Sequence, residues 1–211
     1  MNFKDIIVQK PWGFEYSLFH NDKVSIWHLK IKEGQETSLH AHPNKKTGLV
    51  ILSGGATVSF LSDKFKLFPS EKIMIRQGVF HKTKANVGDV HLLEIETPPN
   101  KLDLVRLEDK YGRAGQPYEN EDHYTTVENL IQLKEGVTDK IGRTSLDCLT
   151  LNKEELIASA YLTYMIIDGS IKSMGFDVAG PGDVLTRENL LFMLDKFDLK
   201  ESLKVVCISN D

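Results

Sequence analysis

Three histidines stand at a spacing that suits a metal site. His40 and His42 are separated by one residue, and His81 follows far downstream after a Gly-x-x-His turn that begins at Gly78. Residues two apart on a β-strand project from the same face, so the first pair would present two imidazoles together. A third imidazole from a later strand would complete a facial set of nitrogens, which suits zinc, iron, nickel or copper. The alternative is a polar cluster that lines an empty barrel.

Acidic and basic residues near these histidines are further candidates for chemistry. Glu94 and Glu96 alternate along one strand-like run, so both could point into the same interior. A carboxyl group inside a β-barrel has a raised pKa, and either residue could replace a metal ligand or act as a general base. The competing interpretation is a solvated face or structural ion pairs. Lys45 and Lys46, in a predicted loop, would contact a phosphate at the barrel mouth or simply be solvated.

Short β-type segments bounded by turn residues must position these side chains. The segments predicted as strands in the first half are 24–32, 48–52, 56–61, 65–68, 72–76 and 90–97. The turns between them include Ser53-Gly54-Gly55 and Val87-Gly88-Asp89. Many short strands at this spacing are typical of a β-sandwich or barrel.

The second half of the chain is predicted to form a smaller β unit. A short helix is expected over 152–160 with Asn152 as its N-cap, followed by β-type segments at 161–167, 190–194 and 203–208. All seven histidines lie at or before His123, so this half lacks histidine ligands. We therefore expect it to serve packing or dimerisation, with a homodimer as the predicted assembly.

Composition and charge exclude several classes of protein. The 211 residues are 41% hydrophobic and 27% charged, which is ordinary globular usage. The net charge of −4 provides no basic field for nucleic acid or an anionic membrane, so a small-molecule partner is favoured. The first residues lack the apolar stretch of a signal peptide, which predicts a cytoplasmic protein. Cys148 and Cys207 are too few for a disulfide framework and are expected to be buried thiols.

The first half of the chain resembles a cupin. His40, His42 and His81 match three of the four usual ligand positions of that superfamily, and Gly34, Gly54 and Gly78 match its turn glycines. The resemblance is closest to the type II mannose-6-phosphate isomerase cupins and their sugar-modifying relatives. Their flanking motifs are similar to Lys10-Pro11-Trp12-Gly13 and to the segment 104–113, which ends in Tyr111-Gly112-Arg113.

The resemblance implies an all-β chain with a jelly-roll cupin barrel over 1–118. A connector would follow at 119–124, and a degenerate cupin-like unit over 125–211 would make the chain a bicupin. It also implies a divalent metal (zinc, iron, nickel or manganese) and a sugar phosphate or nucleotide sugar as substrate. His28 stands where the family carries a basic residue, so it is predicted to line the pocket. Arg113 matches an arginine of the catalytic centre, although salt bridges to the connector would explain it equally well.

One departure from the cupin pattern concerns the acidic ligand. The family pattern places a carboxylate five residues after His42, but that residue here is Thr47. Three hypotheses follow from this difference. The first is a metal-dependent isomerase or epimerase in which Glu96 carries the proton and Arg113 stabilises developing negative charge. The others are a three-histidine iron dioxygenase and a sugar-binding cupin without catalytic activity.

Overall fold

The computed structural model describes residues 3–210 and divides the chain into two compact units, Met1–Gln132 and Leu133–Asp211. Met1, Asn2 and Asp211, which the predicted domain ranges include, lie outside the described residues. Unit 1 extends beyond the predicted end of the barrel at residue 118 and beyond the predicted connector at 119–124. The reason is that a strand at Tyr124–Thr126 pairs with the strand Ile6–Lys10 and so belongs to unit 1.

Unit 1 is built from antiparallel strands over its described residues. The strands are β1 (Ile6–Lys10), β2 (Gly13–His20), β3 (Ser25–Ile31), β4 (Leu39–Ala41), β5 (Lys46–Ser59), β6 (Lys64–Leu67), β7 (Lys72–Ile75), β8 (Lys82–Thr97), β9 (Val105–Glu108) and β10 (Tyr124–Thr126). The main sheet has the order β10-β1-β2-β3-β8-β5-β6, with β7 also paired to β5. Strands β4 and β9 form a separate pair, and a 3₁₀ turn at Glu121–His123 precedes β10.

The inner face of this sheet carries the core of unit 1. Leu29 of β3, Ile51 of β5 and Leu92 of β8 are among the buried residues that pack together there. Because side chains alternate along a strand, Glu94 and Glu96 share the inner face with Leu92. The strands therefore carry two carboxyl groups into the barrel beside its apolar core.

Glycines explain two details that local patterns alone leave open. The predicted turn at residues 53–55 lies inside the long strand β5, where Gly54 has a φ of 80°. A Cβ at this position would lie 2.5 Å from the carbonyl oxygen of Asp89, so only glycine allows β5 and β8 to approach here. At Gly13 a Cβ would lie 1.8 Å from the carbonyl oxygen of Lys30, which explains the glycine after Trp12.

Unit 2 consists of a sheet, a hairpin and two helices over its described residues. Its strands are β11 (Thr138–Ile141), β12 (Thr144–Leu151), β13 (Thr163–Asp168), β14 (Ile171–Ser173), β15 (Phe176–Ala179), β16 (Val184–Thr186) and β17 (Leu203–Asn210). The sheet order is β11-β12-β17-β13-β16, and β14 pairs with β15. Helix α1 (Lys153–Ala158) begins after Asn152, as predicted, and the side chains of Asn152 and Glu155 form a capping box.

Helix α2 (Arg187–Lys196) replaces the strand that was predicted at 190–194. The apolar run Leu190–Leu194 misled the prediction, because a short apolar run has the same composition in a buried strand and in a helix face. Thr186 caps the helix by accepting a hydrogen bond from the backbone N–H of Asn189, and Leu190 and Leu194 lie on its buried side. Neither α-helix in the described residues is long and apolar enough to cross a membrane.

Candidate metal centre

Three imidazoles converge at one end of the barrel interior. His40 lies on β4, His42 follows that strand, and His81 immediately precedes β8. Two hydrogen bonds join the backbones of His40 and His81, with N–O distances of 3.0 and 2.8 Å. The three rings have centroid separations of 4.4 to 5.5 Å, and one ring nitrogen from each lies within 4.8 Å of the others. The sequence pattern and the fold thus bring these histidines together.

Backbone carbonyls orient all three rings in the same way. The Nδ1 atoms of His40, His42 and His81 lie 2.8, 2.6 and 3.0 Å from the carbonyl oxygens of Ser38, Asp103 and Val79, respectively. A carbonyl only accepts hydrogen bonds, so each Nδ1 must carry the proton and each Nε2 keeps its lone pair. Outer hydrogen bonds of this kind fix the orientation of histidine ligands at metal sites.

The protonation state of the rings also suits a metal. Burial, reinforced by Lys45, lowers the pKa of His42 to about 3, and burial lowers that of His81 to about 4. Burial and the two neighbouring imidazoles hold the pKa of His40 well below its usual value. The Nε2 atom of His42 is buried without a hydrogen-bond partner among the described residues. Neutral imidazoles with an unpartnered nitrogen fit a divalent transition metal.

The carboxyl group nearest this cluster comes from β8. Thr47 is buried, its hydroxyl has no hydrogen-bond partner among the described residues, and it supplies no charge. Glu94 instead lies with Oε1 3.9 Å from the Nε2 of His42. His42, Glu94 and Glu96 form a second group of possible ligands that shares one histidine with the first.

The two glutamates differ in their surroundings. Glu96 lies 2.5 Å from the Nζ of Lys45 and 3.4 Å from that of Lys101, and it accepts a hydrogen bond from Ser25. Burial opposes its charge, but the two ammonium groups outweigh burial and lower the pKa of Glu96 to about 2. Glu94 has no such close partner, and burial raises its pKa to about 7. These surroundings favour Glu94 over Glu96 as the group that exchanges a proton.

Of the three residues predicted to bind substrate, Lys45 lines the histidine cavity, whereas Lys46 and His28 do not. Lys45 is not a solvated loop residue, because it is fully buried and its Nζ donates to Glu96 and to the carbonyl of Asn100. Lys46 lies outside the histidine cavity, beside a separate shallow pocket. His28 is on the opposite face of β3 from Trp27 and Leu29, where its ring stacks on that of His91. The expectation that His28 lines the pocket is therefore wrong.

A network of charged groups forms another wall of the cavity. Arg113 lies 2.7 Å from Asp109 and 2.6 Å from Glu119, which also binds Arg106 and Lys10. Arg113 thus makes salt bridges, as one of its two interpretations predicted. It also lines the histidine cavity.

Sequence reasoning missed two buried lysines of this cavity. The ammonium group of Lys101 lies over the ring of Trp27 at 4.0 Å and 3.4 Å from Glu15. Burial opposes its charge, but Glu15, Glu96 and Glu94 raise its pKa. Lys10 stacks on the Tyr118 ring at 3.9 Å. Lys10 belongs to the flanking motif Lys10-Pro11-Trp12-Gly13, but the residues next to Lys101 gave no indication that this lysine is buried. The interior volume of the cavity is about 60 Å³.

Comparison with known proteins assigns the family. A family model described as "Mannose-6-phosphate isomerase C-terminal" matches residues 3–109, just over half of the chain. The chain belongs to this family. The predicted resemblance to cupins of the mannose-phosphate isomerase type is confirmed, and so is the all-β cupin fold.

Individual relatives are similar over the same part of the chain. The alginate biosynthesis protein AlgA of Pseudomonas aeruginosa is 30% identical over 114 residues, which make up 52% of this chain and 24% of that protein. The mannose-1-phosphate guanylyltransferase of Escherichia coli is 30% identical over 111 residues, or 51% of this chain and 23% of the enzyme. The chain thus matches about a quarter of the length of these curated relatives.

A solved cupin-2 domain containing protein from Shewanella frigidimarina is 19% identical. It gives a TM-score of 0.37 and covers 42% of this chain and 83% of that one.

Proposed function

We propose that unit 1 is a metal-dependent isomerase or epimerase of a sugar phosphate or nucleotide sugar, with the metal held by His40, His42 and His81. The observation that carries the proposal is the common orientation of the three rings, each fixed at Nδ1 by a backbone carbonyl. Three neutral nitrogen ligands leave coordination positions open, which is typical of catalytic metal sites. A divalent ion bound there would supply Lewis acidity toward a sugar oxygen.

Glu94 is the residue that we assign to proton transfer. Aldose–ketose isomerisation requires a base that removes the proton from the carbon beside the carbonyl and returns it to the neighbouring carbon. The imidazole of His42 and the ammonium group of Lys101 both lie 3.9 Å from the carboxyl group of Glu94, so that group is not held in a close ion pair. Glu96 is held at 2.5 Å by Lys45 and has the role of fixing that lysine.

The charged wall of the cavity suits an anionic sugar. Arg113, Arg106 and Lys10 all line the same cavity as the three histidines. A guanidinium group binds a phosphate or a developing oxyanion with charge-assisted hydrogen bonds. We assign Arg113 to this role because its side chain is partly exposed to solvent. Arg106 is buried, and its guanidinium group donates to the backbone carbonyl of Gln116.

The test uses the full chain, purified without chelator and then loaded separately with zinc, iron, nickel or manganese. The protein is incubated in deuterated water with mannose 6-phosphate and a panel of other hexose phosphates and nucleotide sugars. Nuclear magnetic resonance then reports both the product and the exchange of the substrate hydrogen for deuterium. We expect turnover of at least one sugar, with loss of deuterium exchange but retention of metal in Glu94→Gln. Glu108→Gln, an exposed glutamate, is the matched control.

A sugar-binding protein without catalytic activity is the second candidate. The observation that favours it is Thr47, since the three-histidine set contains no carboxylate. Metal binding without turnover or deuterium exchange on any sugar of the panel would overturn the isomerase proposal in favour of this candidate. Oxygen uptake by the iron-loaded protein would instead favour the three-histidine dioxygenase.

A further inference from the structure

Asp103 joins three parts of the candidate metal centre. It lies in the segment 98–104 between β8 and β9 and is buried. Its carbonyl oxygen lies 2.6 Å from the Nδ1 of His42. Its carboxylate accepts hydrogen bonds from the backbone N–H groups of Asn44 and Lys45, at 2.8 and 3.1 Å, and from the side-chain amide of Asn44 at 2.9 Å.

These bonds determine the direction of the carbonyl that His42 uses. The carboxylate of Asp103 is hydrogen-bonded to the turn that directly follows His42. The segment that carries the carbonyl is therefore bonded to the segment that carries the His42 ring. Hydrogen bonds to a charged acceptor are shorter and stronger than neutral ones. Without the carboxylate, the segment 98–104 loses three of its hydrogen bonds to this turn, and the carbonyl of Asp103 is held less firmly opposite the His42 ring.

We propose that Asp103 is a positioning residue for the metal ligand His42. The inference rests on the metal site of the proposed function. Asp103 is outside the group of possible ligands, and it acts by holding the ring of His42 in the orientation that directs Nε2 to the shared centre. Residues that orient histidine ligands from outside the ligand set change metal affinity by about 10-fold to 100-fold when they are replaced.

The same segment carries a cavity lysine. Lys101 lies two residues before Asp103 and reaches Glu15 and Glu96, each at 3.4 Å. Disorder of the segment would therefore also disturb the charge balance of the cavity. A variant of Asp103 must for this reason be tested on metal binding itself as well as on activity.

The test compares Asp103→Ala, Asp103→Asn and the control Asp22→Ala, which replaces an exposed aspartate. The zinc dissociation constant is measured by competition with a chelator, and the cobalt-substituted proteins are compared by their visible absorption spectra. We expect zinc affinity to fall by about 10-fold to 100-fold in Asp103→Ala, with an altered cobalt spectrum. Asp103→Asn should recover part of the affinity, because its amide oxygen still accepts from the backbone of the turn. Asp22→Ala should match the wild type.

Metal-free protein separates this inference from the proposed function. In ¹⁵N-labelled wild-type protein, the Nδ1 proton of His42 should be protected from exchange with water, and this protection should be lost in Asp103→Ala. Unchanged zinc affinity together with unchanged Nδ1 protection would overturn the positioning role. If the wild type binds no metal but shows the protected proton, the proposed function fails while the orientation of His42 by Asp103 stands.

A milder variant covers the case in which Asp103→Ala does not fold. Asn44→Ala removes only the side-chain bond to the Asp103 carboxylate and leaves both backbone bonds in place. A smaller loss of zinc affinity in the same direction is expected. Affinity and Nδ1 protection equal to those of the wild type in both Asn44→Ala and Asp103→Asn would contradict the inference.

Discussion

Replacement of Glu119 by Gln should reveal how strongly one buried carboxylate stabilises unit 1. Glu119 is buried and lies 2.8 Å from Arg106 and 2.6 Å from Arg113, with Lys10 on its other oxygen. Burial opposes its charge, but these cations, with Lys10 first, lower its pKa from 4.5 to about 2. At about 1.4 kcal/mol for each pKa unit, this difference corresponds to about 3 kcal/mol of stability at neutral pH.

The pH dependence follows from the sign of this difference. Because the pKa of Glu119 is lower in the folded state, the stabilisation is fully present above about pH 4.5 and is lost as the pH falls toward 2. Glu119→Gln removes this contribution and takes away the carboxylate that is the ion-pair partner of the buried Arg106. We therefore expect the variant to be less stable by about 3 kcal/mol at pH 7, and the difference to shrink to roughly half or less at pH 3.

Tryptophan fluorescence during urea unfolding provides the assay. Trp12 and Trp27 are the two tryptophans of the chain, and both are buried in unit 1, so their emission reports the unfolding of that unit. The free energy of unfolding is compared at pH 7, 5, 4 and 3 for the wild type, Glu119→Gln and the control Glu108→Gln. Equal differences between wild type and Glu119→Gln at pH 7 and pH 3 would refute the reasoning, as would a control that behaves like the variant.

Three further predictions concern the metal site and the thiols. His42→Ala should abolish stoichiometric metal binding, measured by elemental analysis, whereas the exposed His123→Ala should retain it; metal retained by His42→Ala would contradict the assigned ligand set. Thr47→Val should bind metal like the wild type and unfold at an equal or higher urea concentration, because the buried hydroxyl that it removes has no hydrogen-bond partner. Cys148 and Cys207 are buried and burial raises the pKa of both thiols, so neither should react with a thiol reagent at pH 8 before urea unfolds the chain. Rapid labelling of the folded protein would show that unit 2 opens locally.

Local sequence was sufficient for features that depend on neighbours in the chain. The spacing of His40 and His42 indicated a shared face, and Asn152 was correctly predicted to begin a helix because its side chain bonds a backbone group three residues away. Local patterns failed where a short segment was compatible with two structures. The segment 190–194 is a helix, and the glycines at residues 54 and 55 continue a strand, because partners distant in sequence decide both outcomes.

The chemical character of the site depends on contacts that local sequence does not specify. Alternation placed Glu94 and Glu96 on one face, but only the fold places Lys45 and Lys101 against Glu96 and leaves Glu94 beside His42. Those contacts make one glutamate a strongly held anion and the other a group with a pKa of about 7.

Residue types and spacing thus determined that three histidines could form a metal site. The tertiary structure decided which nitrogen of each ring is free, through carbonyls such as that of Asp103, sixty-one residues from His42. The physical reason is that a side chain's type and strand register are local properties. Its burial, its hydrogen-bond partners and the charges around it depend on the whole fold.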